Sequence, residues 1–334
     1  MTQARGITRR QMLQLIGAGG AGAVLGGGIS NRITAGWFQN ILSGPRNPMK
    51  GVQEPAVTHV TRSGIKIHNV QTGYVAVKTA HRQYDGPDGR GILGIALDRN
   101  WTEWMPIHTW VIEHPEGVLV VDTGETERAT RSGYHQGGDA VFYGAFLRFA
   151  LSAEDEIGPQ LNGLGIPSEE VRWVVQTHLH GDHMGGMGYF SNAEFLISPQ
   201  DYPASTGALP YHYPEWLSPT LVSFDSDPIA AFPGSYPITR ARDLFIVPTP
   251  GHSNGHQSVV LRDGDDHYFF AGDTSFDDVQ LREIMTPGIV ADPPLSRTTL
   301  DQIQTYCRSF DTVYLPSHDP NARERLISKT FTRI

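Results

Sequence analysis

The 334-residue chain is 39% hydrophobic and 10% aromatic, enough for a sizeable core, which excludes an intrinsically disordered protein. Its net charge is −9, and the first 32 positions hold four arginines and no acidic residue, so the rest is more acidic still. That balance argues against a nucleic-acid or anionic-membrane partner. The single cysteine, Cys307, excludes an internal disulfide. We expect one catalytic domain, residues 57–334, preceded by an extension.

The extension resembles a twin-arginine export signal. Thr8-Arg9-Arg10-Gln11-Met12-Leu13 has the small polar residue, the paired arginines and the apolar residues of that signal. The uncharged stretch from Leu13 to Ile29 is rich in glycine and too weakly apolar for a membrane span, and a flexible glycine tail is the alternative. We therefore expect a signal peptide over residues 1–35, a linker over residues 36–56, the twin-arginine export machinery as a partner, and a periplasmic mature protein without a stable membrane span.

The segment after the linker carries strand signals. Residues 65–77 are apolar and β-branched with an interruption at Gly73, which predicts a strand pair. Residues 106–112 and 118–121 predict two further strands around a turn. The second of these strands runs into Asp122, which is placed either to hold a ligand histidine or to cap the turn.

Two neighbouring segments carry helix signals. In residues 133–151, three phenylalanines fall on one helical face, which leaves a core-packing helix and a substrate-facing wall as alternatives. They are Phe142, Phe146 and Phe149. Residues 152–165 predict a helix, because Ser152 and Asp155 form a variant capping box and Gly165 can end it.

Residues 198–242 contain eight prolines, so regular helix is not expected over most of this stretch. Aromatic residues accompany the prolines: Tyr202, Tyr211, Tyr213, Trp216 and Phe224. The segment is expected to form either a lid or pocket wall, or a surface loop packed by its own aromatic side chains.

The most informative stretch is residues 177–186, directly after the strand signal at residues 171–175. Four of its side chains can bind a metal: His178, His180, Asp182 and His183. The first two lie two residues apart at a strand end and point to the same side, so they can bind one metal. After a turn permitted by Gly181, the other two can face a second metal beside the first. A polar, histidine-rich turn is the alternative.

Three later strand signals disfavour that alternative, because each runs into a residue that can bind a metal. The strand at residues 244–247 leads to His252, the strand at 267–271 leads to Asp273, and the strand at 312–315 leads to His318. Loops at the strand ends of layered α/β folds gather functional side chains, so the ligand-type residues are expected to meet. A helix with a candidate cap at Ser296 precedes the last strand, and Cys307 on its apolar face is expected to be buried and not a nucleophile.

These residues resemble the metallo-β-lactamase superfamily. Its His-x-His-x-Asp-His signature stands at residues 178–183, and its separated His, Asp and His stand at positions 252, 273 and 318. The resemblance implies an α/β fold, the four-layer αβ/βα sandwich. It also implies two divalent metal ions, one held by His178, His180 and His252, the other by Asp182, His183 and His318, with Asp273 bridging them. Zn²⁺ is the default for this ligand set, and manganese, iron or cobalt can occupy it.

Within the superfamily, residues 250–258 and 317–319 are most similar to those of the N-acyl homoserine lactonases. His180 argues against the di-iron oxidoreductases, which have Glu there, and Asp273 argues against many true β-lactamases, which have Cys. The resemblance implies a quorum-quenching hydrolase in which a metal-bridging hydroxide attacks the carbonyl of a small lactone substrate and Asp182 moves a proton. The sequence leaves open whether the chain acts as a monomer or as a homodimer.

One position departs from the lactonases, which carry a tyrosine three residues after the bridging Asp where this chain has Phe276. Loss of one such donor costs on the order of 2.7–4 kcal/mol of transition-state stabilisation, by analogy with oxyanion holes. Four residues are candidate substitutes: Tyr143, Tyr202, Tyr211 and His212. The departure supports an alternative function, an aryl ester or organophosphate triester hydrolase with the same two-metal site.

A metal-stabilised binding protein without turnover is a third interpretation. Structural zinc sites use four closed ligands, whereas seven ligands for two ions leave open coordination positions, which disfavours it. The nine histidines outside the proposed ligand set are expected to be mostly surface or hydrogen-bonded residues. Among them, His256 is a candidate to support the ligands.

Overall fold

The computed structural model describes residue 45 and residues 54–88 and 90–334. The proposed signal peptide, residues 1–35, and all of the proposed linker except residues 45 and 54–56 lie outside the described residues, so both remain predictions. In the part of the chain that is described, no helix has the length and apolar character needed to cross a membrane.

Eight strands form the first sheet: β1 (Val57–Val60), β2 (Lys66–Val77), β3 (Met105–His114), β4 (Gly117–Val121), β5 (Leu147–Ala150), β6 (Val171–Val175), β7 (Glu194–Ile197) and β8 (Thr220–Leu221). Their order is β1-β2-β3-β4-β6-β7-β8, with β5 paired to β2. The pairs from β1 to β4 are antiparallel, whereas β4, β6, β7 and β8 run parallel. The parallel half therefore delivers several chain segments to one edge of the sheet.

Five strands form the second sheet: β9 (Tyr236–Pro237), β10 (Leu244–Pro248), β11 (Gln257–Asp263), β12 (Asp266–Gly272) and β13 (Asp311–Pro316). Their order is β13-β12-β11-β10-β9. Only the β12–β13 pair is parallel among these neighbours.

Eight α-helices are described: α1 (Thr79–Arg82), α2 (Gly91–Leu97), α3 (Gly137–Phe146), α4 (Ile157–Gly163), α5 (Gly181–Met184), α6 (Asp278–Glu283), α7 (Pro293–Ser309) and α8 (Ala322–Ser328). Short 3₁₀ turns stand at Glu127–Thr130, Ala153–Asp155, Ser168–Glu170, Met187–Tyr189 and Pro210–His212. The first two α-helices form an insertion between β2 and β3.

Alternation of side chains along the strands builds the layers. In β3, Trp110 lies in the core between the two sheets, and its neighbour Val111 faces the opposite side. Ile246 of β10 meets the same inner core from the second sheet. The outer faces are covered by helices, through Leu161 of α4 on the first sheet and Leu300 of α7 on the second. The layers run helix, sheet, sheet, helix, so the expected four-layer αβ/βα sandwich is confirmed.

The strand pair expected over residues 65–77 is wrong. The segment forms one long strand, β2, whose pairing register with β3 shifts between Gln71 and Tyr74. The shift is centred on Gly73, which has a φ of 136° and stands where an added Cβ would lie 2.8 Å from Cβ of Leu151. Glycine therefore marks a bulge within a strand here and not a turn between two strands.

Of the two alternatives for residues 133–151, the helix is present only as far as Phe146, and the chain continues as β5. Residues Tyr74 to Val77 of β2 extend beyond β1, and their free backbone groups pair with β5.

The helix expected over residues 152–165 is also shorter than expected. The capping box of Ser152 and Asp155 is present, but it closes a 3₁₀ turn, and α4 begins only at Ile157. Pro159 then falls in the first helical turn, where its missing N–H costs little.

The cap expected at Ser296 is wrong by one turn. Helix α7 begins after Asp292, whose side chain accepts a hydrogen bond from the Leu295 N–H, and Pro293 occupies the first helical position. Cys307 is buried, as expected. Residues 198–242, all described, contain no α-helix, which confirms the expectation from their prolines.

Candidate metal centre

Seven metal-binding side chains meet where strands of both sheets end. The β6 end supplies His178 and His180, α5 supplies Asp182 and His183, and the ends of β10, β12 and β13 are followed by His252, Asp273 and His318. They form three groups, each with its candidate ligand atoms within 4.8 Å of one another: His178, His180 and His252; His178, His183 and Asp273; and Asp182, His183 and His318. All seven residues expected from the sequence are thus brought together.

The first group surrounds one candidate cation position. The Nδ1 atom of His180 and the Nε2 atom of His252 lie 3.1 Å apart, and His178 Nε2 faces the same space. One carboxylate oxygen of Asp273, Oδ2, lies 3.6 Å from His252 Nε2 and 3.9 Å from His178 Nε2.

The second group surrounds a neighbouring position. The Oδ2 atom of Asp182 lies 3.4 Å from His318 Nε2, and its Oδ1 atom lies 3.9 Å from His183 Nε2. The other oxygen of Asp273, Oδ1, lies 3.3 Å from His183 Nε2 and 3.4 Å from His318 Nε2. Asp273 therefore presents one oxygen to each group, as a carboxylate between two cations would.

Hydrogen bonds on the far side of the rings fix their orientation. The Nδ1–H of His318 donates to the Pro106 carbonyl at 2.9 Å, and the Nδ1–H of His183 donates to Asp122 at 2.8 Å. Asp122 also accepts from the Thr177 backbone N–H and hydroxyl, at 2.7 and 2.8 Å. Both roles weighed for Asp122 are therefore present, and each ring presents Nε2 to the centre.

The donor set fits divalent cations. The Nε2 atoms of His178 and His183 and the Oδ1 atom of Asp273 are buried without a hydrogen-bond partner among the described residues. Buried polar atoms are normally satisfied, so three orphaned atoms that converge require another partner. Imidazole nitrogens and carboxylate oxygens are ligands that zinc and its first-row neighbours accept.

The electrostatics keep the carboxylate ionised. Burial opposes charge on Asp273, but His318 and His183 outweigh it and hold the pKa of this carboxyl well below its usual range. Burial lowers the pKa of His178 and His252 well below the usual value, with further lowering from neighbouring imidazoles. Both of these histidines are therefore neutral and able to donate a lone pair.

Two further side chains hold the loop that carries His252. The Ser253 hydroxyl and the Gly255 N–H donate to Asp201, at 2.5 and 2.8 Å. The Nε2 atom of His256 accepts from the Asp273 N–H at 3.1 Å, so His256 supports the backbone of Asp273, in keeping with its candidate supporting role. Asp201 was not predicted, because it lies 51 residues from His252 in an irregular segment.

Known proteins resemble this chain in sequence. The sequence model of the Metallo-beta-lactamase superfamily matches residues 102–318. The chain belongs to this superfamily. It is 28% identical over 229 residues to the N-acyl homoserine lactonase AttM of Agrobacterium fabrum, covering 65% of this chain and 83% of that protein. It is 30% identical over 161 residues to an N-acyl homoserine lactonase of Bacillus cereus, covering 47% and 58%.

Solved structures agree on the fold. An N-acyl homoserine lactone hydrolase with the product N-hexanoyl-L-homoserine at its catalytic metal centre matches with a TM-score of 0.62 and 17% identity, over 81% of this chain and 96% of that chain. AidC, a dizinc quorum-quenching lactonase, matches with a TM-score of 0.54 and 15% identity, over 80% and 92%. The superfamily membership and the ligand cluster together identify a metal-dependent hydrolase.

The position that departs from the lactonases lies against this centre. Phe276 is 4% exposed, and its ring centroid lies 5.4 Å from that of His318. A cavity of about 970 Å³ opens beside it and is lined by both residues and by Trp101 and Trp104 of the insertion. Substrate can therefore reach the centre from the side of the second cation position.

The four candidate substitutes for the missing tyrosine occupy different places. Tyr143 comes closest, because its hydroxyl would lie 3.3 Å from a Cβ added at Gly181 in the signature. Tyr211 donates to Asp139, His212 stacks on Tyr134, and Tyr202 stacks on Tyr213.

The segment 198–242 also reaches the centre, since the Thr206 carbonyl lies 3.1 Å from His180 Nε2. It thus forms part of the site wall and also packs on its own aromatics.

Two titratable residues near the centre were not predicted. Glu125 is buried, its Oε2 atom has no described partner, and burial followed by Asp182 raises the pKa of its carboxyl well above the usual value. His81, in α1 of the insertion, interacts electrostatically with ligands of both cation positions, and burial lowers its pKa to about 4. Neither residue follows a ligand motif, so only the tertiary path of its segment places it here.

Proposed function

We propose that the chain is a dinuclear metal-dependent hydrolase that opens a lactone ring, with N-acyl homoserine lactones as its substrate class. The observation that carries the proposal is the placement of Asp273, with one oxygen toward each of two histidine-containing groups. The named function of the curated relatives supports the substrate class. Zn²⁺ is the proposed cation, since it suits the ligands, and metal analysis of the purified protein tests it.

Different residues of the chain would bind the cations and transfer the proton. The cations, when bound, would supply a hydroxide nucleophile at neutral pH and polarise the ester carbonyl. His178, His180 and His252 would hold one cation, and Asp182, His183 and His318 would hold the other. The Asp182 side chain is 13% exposed, against 7% for Asp273, so it is the carboxylate placed to exchange a proton with the substrate. The new C–O bond forms first at the lactone carbonyl, and the ring C–O bond then breaks. Asp182 takes the proton of the attacking hydroxide and delivers it to the leaving alkoxide, so that the products are a carboxylate and an alcohol.

A second candidate substrate class rests on the cavity. Phe276, Trp101 and Trp104 place aromatic surfaces beside His318 in a lining that also contains charged residues. Such aromatic surfaces suit an aryl ester or an aryl phosphotriester. A phosphotriester offers the same chemistry, attack on an electrophile whose oxygen develops negative charge.

One comparison separates these substrates. We expect hydrolysis of N-acyl homoserine lactones of several chain lengths to exceed hydrolysis of an aryl ester and an aryl phosphotriester, each measured as kcat/KM on protein of known metal content. Asp182→Ala is the control, and its kcat should be lower by about 10²-fold or more, the scale of positioned acid–base catalysis. Lactone turnover by the native chain no higher than that of the control would overturn the lactonase proposal.

We also propose that the protein is exported folded by the twin-arginine route. The support is the Arg9-Arg10 pattern together with a chain that needs no disulfide. Cell fractionation of the native chain against an Arg9→Lys, Arg10→Lys variant tests it, and equal periplasmic amounts of the two would contradict it.

A further inference from the structure

We propose that His81 donates a hydrogen bond to the substrate oxygen on which negative charge develops, in the role that a tyrosine has in the lactonases. The inference rests on the proposed ester hydrolysis. It starts from Phe276, whose side chain has no donor although it lies against His318. A substrate bound on this side of the centre needs a donor from another segment.

His81 is a candidate for this donor, because its ring lies against Phe276 itself. Its ring centroid lies 6.4 Å from that of Phe276, edge to face at 86°, and Phe276 in turn lies 5.4 Å from His318. The imidazole also interacts electrostatically with His180, Asp182, Asp273 and His318, which belong to both groups of ligands. The ring therefore lies beside the residue that lacks the phenol, with Phe276 between it and His318.

The state of the ring supports a ligand role. Its Nδ1 atom is buried and has no hydrogen-bond partner among the described residues, while the residue as a whole keeps part of its surface exposed. A buried imidazole nitrogen without a partner is costly unless a bound molecule supplies one. A neutral imidazole has one N–H to donate, as a phenol has one O–H.

The backbone around His81 is fixed at several points. Asp98 accepts hydrogen bonds from the Thr79 hydroxyl and the Ala80 N–H, at 2.6 and 2.7 Å. The His81 carbonyl accepts from the Gly288 N–H at 2.8 Å, and Arg82 forms an ion pair with Asp277. A four-residue helix has little stability of its own, so these contacts hold the imidazole in place.

One side chain ties His81 to the position of the missing tyrosine. The amide of Gln280 accepts from the Phe276 N–H at 2.8 Å and donates to the Arg82 carbonyl at 3.0 Å. Gln280 is almost fully buried, so this link is shielded from water. Gln280 therefore fixes the position of the segment that contains Phe276 relative to the segment that contains His81.

The test is a double-mutant cycle on metal-loaded enzyme with N-hexanoyl homoserine lactone as substrate. The variants are His81→Phe, Phe276→Tyr and the double variant, with His81→Gln as a second substitution that keeps an N–H donor. We expect His81→Phe to lower kcat by about 10²-fold, the scale of one lost oxyanion donor, with a small change in KM. Phe276→Tyr should change the native enzyme by less than about threefold but raise kcat of His81→Phe by about tenfold, because the phenol then does the same work.

Controls separate the donor role from folding and metal binding. His59→Phe makes the same change at a histidine whose partner is Tyr268 and not a metal ligand, and it should leave kcat unchanged. Metal content and thermal unfolding of each variant should match those of the native enzyme. An unchanged kcat in His81→Phe, a loss of metal in that variant, or a failure of Phe276→Tyr to restore it would each overturn the proposal.

The outcome is distinguishable from failure of the proposed function. If the native enzyme hydrolyses an aryl phosphotriester but no lactone, the substrate class is wrong, and the same four variants measured on the phosphotriester still test His81. If the native enzyme hydrolyses the lactone and His81→Phe does so equally well, the lactonase proposal stands and the role of His81 falls.

Discussion

Asp122 shows how one carboxylate connects the fold to the metal centre. Its φ of 58° places it in the left-handed region at the end of β4, where its two oxygens reach Thr177 and His183. The bond to Thr177 fixes the start of the signature loop, and the bond to His183 selects the tautomer that presents Nε2 to the other candidate ligands. Local sequence could place Asp122 at a strand end, but only the neighbouring parallel strand shows that both partners are within reach.

Asp122→Asn separates these two tasks. An amide oxygen in the Oδ1 position can still accept from the Thr177 N–H, whereas the amide –NH₂ would face the N–H of His183 and favour the wrong tautomer. We expect cation affinity at the second position to fall by about 10–100-fold, with the fold retained. Metal titration against a competing chelator measures this, and Asp263→Asn, which alters an acceptor for the Ser63 N–H outside the centre, is the control. Unchanged affinity would contradict the orienting role of Asp122.

The seven ligand-type residues could be found from the sequence because each follows an apolar strand signal or lies in a compact motif. His81 and Glu125 could not, because their distance to the centre depends on the path of an insertion and on the turn after β4. A histidine or glutamate in a short irregular segment has no local pattern that distinguishes a surface position from a position above a metal centre.

At the scale of elements, tight glycine turns carry the chain from strand to ligand. Gly251 and Gly272 directly precede His252 and Asp273, and both have positive φ, at 135° and 56°. A Cβ added at Gly251 would lie 2.5 Å from the Ser296 nitrogen of α7, so the turn packs directly on the helix backbone. The residue that caps the helix is bonded to this turn as well, since the Asp292 N–H donates to the Gly251 carbonyl at 3.0 Å. The helix that covers the second sheet therefore also sets the position of His252.

Gly251→Ala should separate this packing from backbone strain. Gly264, in the turn between β11 and β12, also has a positive φ, of 66°, but an added Cβ there meets nothing within 4 Å. We expect Gly264→Ala to lower the free energy of unfolding by about 1 kcal/mol and to leave cation binding intact. Gly251→Ala should lower it further and also weaken the first cation position. Denaturant unfolding and metal titration measure the two effects, and equal results for the two variants would show that helix packing does not position His252.

Element types were predictable where the sequence has a clear apolar run or apolar residues at helical spacing, as in β3, β10 and α7. The errors lie where tertiary pairing decides. The chain leaves the helix after Phe146 because the free edge of β2 accepts β5, and Gly73 bulges within β2 because its neighbours continue the ladder on both sides. The edge of β2 lies about seventy residues earlier in the chain, so the local sequence of β5 does not indicate that this edge is available for pairing.

For the whole molecule, the centre lies where the two sheets meet. The first sheet contributes His178, His180, Asp182 and His183, and the second contributes His252, Asp273 and His318. Each proposed cation takes ligands from both sheets, so binding joins the two halves of the sandwich at one edge. The core between the sheets, built from residues such as Trp110 and Phe270, holds the remainder of the interface.

Removing the cations should therefore destabilise the whole fold and not only the ligand loops. A ligand present at about 1,000 times its Kd stabilises the native state by about 4.1 kcal/mol, which for a domain of this size corresponds to a Tm shift on the order of 10 °C. We expect chelator-treated protein to unfold in one transition at a correspondingly lower temperature, and added Zn²⁺ to restore the original Tm. Chelator saturated with Zn²⁺ beforehand is the control and should have no effect. A Tm that does not respond to chelation, in protein shown by elemental analysis to have lost its metal, would mean that the sandwich holds the seven ligands together without help from the ions.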